Sequence, residues 1–177
     1  PNHYWKHKNH ILVLKALKNI KKKELKNIQI VSTGNNKDWR HKDNFQIINK
    51  YVKENNLRSN YKILGIVSEN HILNLIYHSI ALINPSKSEG ESGSVEMAKV
   101  FQKLTLLSNL DVHKRQKIKG SFFFGVNDFK KLGIYLLMLK KKYKFKSEIS
   151  LKKCLKIHTK YIQEQKTKFT NLFLNTN

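Results

Sequence analysis

Apolar positions along the chain alternate between two periods. Over residues 7–25, Ile11, Leu12, Leu14, Leu17 and Ile20 recur at helical spacing with lysines opposite, which predicts one amphipathic helix. Residues 28–33 form a β-rich run stopped by Gly34 and Asn35. Phe45, Ile48, Tyr51 and Val52 restore the helical period over 43–56, and 61–64 reads as a strand ending at Gly65. A helix over 71–78 leads to an apolar strand over 80–83, closed by Asn84, Pro85 and Ser86. Further along, 93–102 reads as a helix, 104–107 and 122–124 as short buried strands, and 127–142 as a helix. A basic amphipathic helix over 148–174 closes the chain, its apolar stripe running through His158, Tyr161, Ile162, Gln165, Phe169, Leu172 and Phe173.

Short apolar strands separated by helices predict βαβ units, hence an α/β fold: a Rossmann-like parallel sheet with helices on both faces. Such sheets bind ligands at the carboxyl ends of their strands, so the chemistry belongs in the loops that follow them. One feature departs from this scheme. The first helix begins near residue 7, whereas a doubly wound sheet opens with a strand, and only residues 2–5 could be that strand's tail. The expectation is a truncated first strand. Its loss would leave a hole near the sheet centre, flanked by N–H and C=O groups without partners. The expected organisation is one domain over 1–145 and a helical extension over 146–177.

Composition narrows the functional classes. A hydrophobic content of 40% is enough for a core, which argues against wholesale disorder. The single cysteine, Cys154, excludes an internal disulfide or a thiolate zinc cluster and fits a reducing compartment. No apolar run reaches the roughly 20 residues of a membrane span, and residues 1–10 lack the apolar stretch of a secretory signal. A cytoplasmic location is therefore expected. The formal net charge of +23 implies attraction to polyanions. It is spread along the whole chain without an RNP aromatic pattern, zinc-finger spacing or GXXG loop, so specific nucleic-acid binding is not expected. His7 and His10 lie three apart, but two ligands do not make a metal site, and no metal is assigned.

The segment from Asn84 to Lys99 carries the most chemistry. It follows an apolar strand and runs into a helix; Gly90, Ser92, Gly93 and Ser94 let a ligand approach the backbone, and the helix N-terminus offers N–H groups to an anion. Glu89 at the loop mouth can accept hydrogen bonds from hydroxyls. A phosphate bearing a polyhydroxyl group suits this loop. Local features fit equally well an ordinary Gly/Ser loop whose glutamates complement the helix dipole.

The order of motifs adds to this. Pro-Ser-x-x-Glu-Gly from Pro85, then Ser-Val-x-x-Ala-Lys from Ser94 and Leu-Ser-Asn-Leu-Asp-Val-His ending at His113, resemble the donor-site signature of family 4 (group 1) glycosyltransferases. The opening Pro-Asn-x-x-Trp-Lys-His-Lys-Asn-His and the Leu-Gly-Ile-Val block ending at Val67 are similar to that family too, and the resemblance covers residues 1–140 in the family's order. It implies the C-terminal, nucleotide-sugar-binding half of a GT-B fold, whose N-terminal acceptor domain would precede it. It also implies retaining transfer from a UDP- or GDP-sugar to a glycan or lipid-linked acceptor, with no tightly bound cofactor. By position, Lys8 would neutralise the donor diphosphate and Glu89 would contact sugar hydroxyls. The amides around Gly90, Ser92, Gly93 and Ser94 would hold the phosphates, Ser86 would belong to the same donor-binding set, and Gly65 and Val67 would lie beside the base. The last helix would cross to the missing domain or rest on the inner face of an anionic membrane.

Two positions depart from the pattern. The second Glu of the family's Glu-x7-Glu pair falls on Met97, whose thioether cannot grip ribose hydroxyls. Glu96 is adjacent but turned by about 100° around a helix. Losing charge-assisted bonds there would cost about 1.5–3 kcal/mol each. In addition, Arg115 stands where the family commonly has Glu in His-Arg-Glu. A non-catalytic remnant, or a polyanion-binding module, are the alternative readings.

Overall fold

Among the described residues the apolar runs become five short parallel strands: β1 (Ile30–Ser32), β2 (Tyr61–Ile63), β3 (Ala81–Asn84), β4 (Leu104–Ser108) and β5 (Ser121–Phe124). Between them run α1 (His10–Asn19), α2 (Lys22–Leu25), α3 (Asn44–Glu54), α4 (Glu69–His78), α5 (Gly93–Val100) and α6 (Asp111–Arg115); α7 (Phe129–Lys142) and α8 (Leu151–Leu174) follow. The computed structural model describes residues 2–116, 118–142 and 151–174. The predicted start of the last helix and the 145/146 boundary lie outside the described residues.

Side chains alternate across the strands and build one core on each sheet face. On β4, Leu106 joins a cluster with Leu14 and Leu17 of α1 and Leu132 of α7, whereas Leu107 joins Val95 and Ala98 of α5 and Leu73 of α4. Helices therefore cover both faces, the arrangement expected of a Rossmann-like α/β fold. β4 lies between β3 and β5, with Leu106 opposite both Ile83 and Phe122.

The sheet is in two pieces. β1 pairs only with β2, and β3 opens a separate three-stranded sheet in the order β3-β4-β5. Beside the free edge of β1, the Asn2 N–H donates to the Thr33 carbonyl at 3.0 Å and the Tyr4 N–H to the Asn35 carbonyl at 2.9 Å. Residues 2–4 thus run along the chain that leaves β1.

The single helix expected over 7–25 is broken twice. A 3₁₀ turn at Lys6–Lys8 precedes α1, because Asn9 takes a left-handed conformation, with φ of 56°. Asparagine enters that region readily, and this side chain is bound at both of its N–H bonds by distant carbonyls. At the other end Ile20 is extended and ends α1, while its side chain stays buried in the core. The short α6 was not expected; five residues hold too little periodicity to read. α8 packs on α4 and α5, with His158 buried beside Phe101. Tyr161 and Ile162 of its apolar stripe are half-buried, so this part of the stripe is covered by the chain itself. The side chains of Gln165, Phe169, Leu172 and Phe173 lie outside the described residues.

Candidate active site

All the loops in question leave the carboxyl ends of strands. The loop after β3 is folded around Asn84, a fully buried side chain. Its Oδ1 accepts from the Ser86 N–H at 3.2 Å and shares the one proton of the Ser86 hydroxyl, 2.7 Å away, with Glu89 Oε1 at 2.6 Å; its Nδ2 donates to Ser92 Oγ at 2.8 Å and to Glu89 Oε1 at 3.3 Å. One amide therefore sets the curvature of the loop and the direction of Glu89.

The turn ahead of α1 is clamped onto this loop. Asn9 Nδ2 donates to the Pro85 carbonyl at 3.1 Å and to the Val126 carbonyl, after β5, at 2.9 Å. The Lys87 N–H donates to the His7 carbonyl at 2.7 Å. Held in this way, Lys8 Nζ donates to both Glu89 oxygens, at 2.7 and 2.8 Å, across 81 positions of sequence. Both side chains are largely shielded, at 13% and 6% exposure. Burial opposes ionisation of Glu89, but the hydrogen bonds from Lys8, Ser86 and Asn84 and the Lys8 charge win, and the carboxyl is held below its ordinary value. His7 is pushed down by burial and by the neighbouring Lys8.

Behind Glu89 the chain enters α5. Ser92, at its N-cap, is bonded to Asn84 and to the Ser94 hydroxyl at 3.2 Å. The Val95 and Glu96 N–H groups donate to the Ser92 carbonyl at 3.0 Å, which leaves the Gly93 and Ser94 amides at the helix start outside the intrahelical ladder. The Cβ faces of Gly90 and Gly93 meet no atom within 4 Å, so a ligand could reach the backbone there. Lys8, Ser86, Glu89, Gly90, Ser92, Gly93 and Ser94 thus converge on one corner. A cation, a carboxylate and a helix N-terminus within one corner can hold an anion next to hydroxyl groups.

The other expected residues are placed differently. Gly65 and Val67 follow β2 at the same edge of the sheet, but no described contact joins them to Lys8 or Glu89. Gly65 has φ of 69°, which suits glycine, and its carbonyl accepts from the Gly34 N–H at 2.7 Å. On α5, Met97 is half-buried and packs against the apolar cluster on that face. Glu96 is engaged from the other side: Gln116 Nε2 donates to its Oε1 at 2.8 Å and to the Ser92 carbonyl at 3.2 Å. Arg115 is exposed, whereas the buried Gln116 makes the contact. His113 is not a surface histidine; it is fully buried, with Nδ1 2.9 Å from the Ser108 carbonyl. His10 turns away from His7, its Nδ1 lying 2.7 Å from the Tyr61 hydroxyl and its Nε2 3.1 Å from the His3 carbonyl. Among the described residues, no group of three or more His, Cys, Asp or Glu is placed to hold a metal ion.

Two residues of this site, Asn9 and Gln116, were not singled out from the sequence, and Asn84 was read only as the end of a strand and the start of a loop. Asn84 before Pro85 signals a turn, and Asn9 before an apolar periodic run signals a helix start, but neither signal names a partner.

A family model, glycosyl transferases group 1, matches residues 2–115. The chain belongs to this family. Solved structures share the Rossmann-like fold of this chain. Anabaena HepE in complex with UDP superposes with a TM-score of 0.69 at 11% identity, covering 94% of this chain and 47% of that one. A glycosyltransferase from Rickettsia africae reaches 0.67 at 18% identity, covering 79% and 37%. The catalytic domain of cholesterol-α-glucosyltransferase from Helicobacter pylori reaches 0.57 at 19% identity, covering 80% and 85%. The chain thus spans less than half the length of the first two. No curated protein matches it. Among the described residues, no helix is long and apolar enough to cross a membrane.

Proposed function

We propose that this glycosyltransferase chain is the C-terminal, donor-binding half of a family 4 enzyme. In this reading it holds a UDP- or GDP-sugar for retaining transfer to a glycan or lipid-linked acceptor, and an N-terminal domain supplies the acceptor site. The observation that carries the reading is the Lys8–Glu89 pair, held by Asn84 and Ser86 in front of the α5 N-terminus. As the glycosidic bond to the diphosphate breaks, negative charge grows on the leaving phosphate oxygens. Lys8 and the first-turn amides of α5 stabilise that charge. An incoming diphosphate competes with Glu89 for Lys8. Ser86 and Asn84 keep Glu89 bonded when Lys8 turns to the phosphate, and its remaining oxygen is then open to a sugar hydroxyl. Gly65 and Val67 flank the base. Two HepE complexes, one with UDP and one with UDP and glucose, share this fold and support a nucleotide-sugar as the ligand class.

Met97 favours a second reading, a non-catalytic domain that keeps the fold. The position expected to grip the ribose is apolar, and Glu96 is held by Gln116. Calorimetric titration of UDP and GDP into the chain and into Met97→Glu separates the two readings. Donor binding predicts that the chain binds one nucleotide and that M97E binds it about tenfold or more tightly, through one or two charge-assisted bonds. Folded protein that binds neither nucleotide in either form refutes the donor-site reading and leaves the non-catalytic one.

A further inference from the structure

We propose that the loop between β1 and α3 carries an acceptor subsite, where Trp39 stacks on a pyranose ring and Arg40 holds an anionic group borne by that sugar. Calling this ligand the acceptor rests on the donor-site reading; the binding of an acidic sugar does not.

The loop is a fixed platform. Trp39 is 78% exposed, yet the residues on either side of it are tied down. The buried Asp38 accepts from the Lys6 N–H at 3.0 Å and from the Arg40 N–H at 3.1 Å. Trp5 Nε1 donates to the Lys37 carbonyl at 3.1 Å, and the Tyr4 N–H to the Asn35 carbonyl at 2.9 Å. Burial opposes ionisation of Asp38, but the N–H groups of Lys6, Arg40 and His41 hold its carboxyl below the ordinary value. Its carboxylate is therefore engaged by backbone amides. Among the described residues, no carboxylate pairs with the Arg40 guanidinium.

Arg40 is held by rings instead. Its guanidinium carbon lies over the Trp5 ring, 5.8 Å from the centroid, and over the Trp39 ring at 5.3 Å. A guanidinium stacked in this way keeps its in-plane N–H groups, whose fork matches a carboxylate or a phosphate. A single exposed tryptophan is ordinary on a protein surface. Here the indole stands beside a cation without a counter-charge, so one ligand can meet a flat apolar face and an oxyanion clamp at once. The C–H face of a pyranose fits the first, and an acidic substituent fits the second.

The subsite adjoins the corner that holds Lys8 and Glu89. The Trp5 ring lies 5.6 Å from the ring of His7, and the Lys87 N–H ties the His7 carbonyl to the Glu89 loop. His7 feels the charges of both Glu89 and Arg40. Lys8 and the start of α5 already account for the donor's phosphates. A second anion, held by Arg40 beyond His7, therefore belongs to the other substrate.

The test titrates three probes into the chain: trigalacturonate, the neutral maltotriose, and tricarballylate, which has three carboxylates and no ring. NMR follows the Trp39 indole, the residue 40 amide and the Gly93 amide, with the Trp5 indole signal as the check on folding. Trigalacturonate should shift the Trp39 and residue 40 signals saturably below about 10 mM, and the other two should bind there about tenfold more weakly. Arg40→Gln and Trp39→Ala should each weaken trigalacturonate about tenfold, Trp39→Phe less than about threefold, and Lys22→Gln not at all. UDP should shift Gly93 without displacing trigalacturonate. No saturable shift, or equal binding of either control probe, would overturn the proposal. So would a loss in Lys22→Gln equal to that in Arg40→Gln, since net charge alone would then explain the binding. Displacement of trigalacturonate by UDP would overturn it in favour of one nucleotide site. If trigalacturonate binds while UDP shifts nothing, the acidic-sugar site stands, and the donor reading and the assignment to an acceptor fall.

Discussion

Replacing Lys8 by methionine isolates the contact on which the donor-site reading depends. The substitution keeps the length and apolar stem of the side chain and removes its charge. Glu89 then keeps hydrogen bonds from Ser86 at 2.6 Å and Asn84 at 3.3 Å but loses both bonds from Lys8. Removing one partner of a fully buried pair costs about 3–5 kcal/mol, and an exposed pair is worth about 0–1 kcal/mol. Exposures of 13% and 6% put this pair nearer the buried limit. The two remaining bonds soften the loss, so a destabilisation of about 2 kcal/mol is expected at pH 7. Urea denaturation followed by circular dichroism measures it. Because the Glu89 carboxyl is held below its ordinary value, its contribution is present above its unfolded pKa and lost as pH falls through the folded one. Without Lys8 burial is opposed less, the carboxyl rises, and that part of the acid dependence shrinks. Adding Glu89→Gln to Lys8→Met should restore more than half of the loss, since the amide needs no counter-charge. A loss under about 0.5 kcal/mol, or no recovery in the double variant, would show the pair to be solvated and the corner not preformed.

Other expectations follow from neighbouring contacts. His10 is driven down to about 4, chiefly by burial, against the bond to the His3 carbonyl. The unfolded chain then binds a proton that the folded chain refuses, so stability is full above about pH 6.5 and falls between there and pH 4. The loss from pH 7 to pH 5 is about 2 kcal/mol from this group, and urea midpoints of His10→Gln should be flatter by that amount. A Cβ on Gly34, at φ of 143°, would lie 2.2 Å from the Asn2 carbonyl oxygen. Gly34→Ala should therefore cost about 1–3 kcal/mol and expose the Asn2 and Tyr4 amides to exchange. Asn84→Ala removes the common partner of Ser86, Glu89 and Ser92 and should lower stability by about 2 kcal/mol; a thermal midpoint unchanged from the parent would refute its part in shaping the loop.

The order and type of the elements were legible in the chain because they depend on local periodicity. Residues 28–33 and 80–83 read as strands and 43–56 as a helix; β1, β3 and α3 fall within or close to these limits. The loop from Asn84 to Ser94 was legible as a connection into a helix for the same reason, since a glycine and serine run between an apolar strand and a helix is a local pattern. Where the outcome depended on distant partners, the pattern fell short. Asn9 breaks the first helix because carbonyls at Pro85 and Val126 bind its amide, and nothing near residue 9 announces them. Lys8 is one of 35 basic residues, and only the tertiary fold sets it against Glu89 instead of in solvent. Glu96 beside Met97 offered a replacement carboxylate by sequence, but Gln116, 20 positions on, takes it. A hole near the sheet centre was expected from the sequence, but that the division falls between β1 and β3 was decided by pairing. Strand partners lie tens of residues apart, and a chain's own pattern of apolar positions shows where strands form without showing which edges meet.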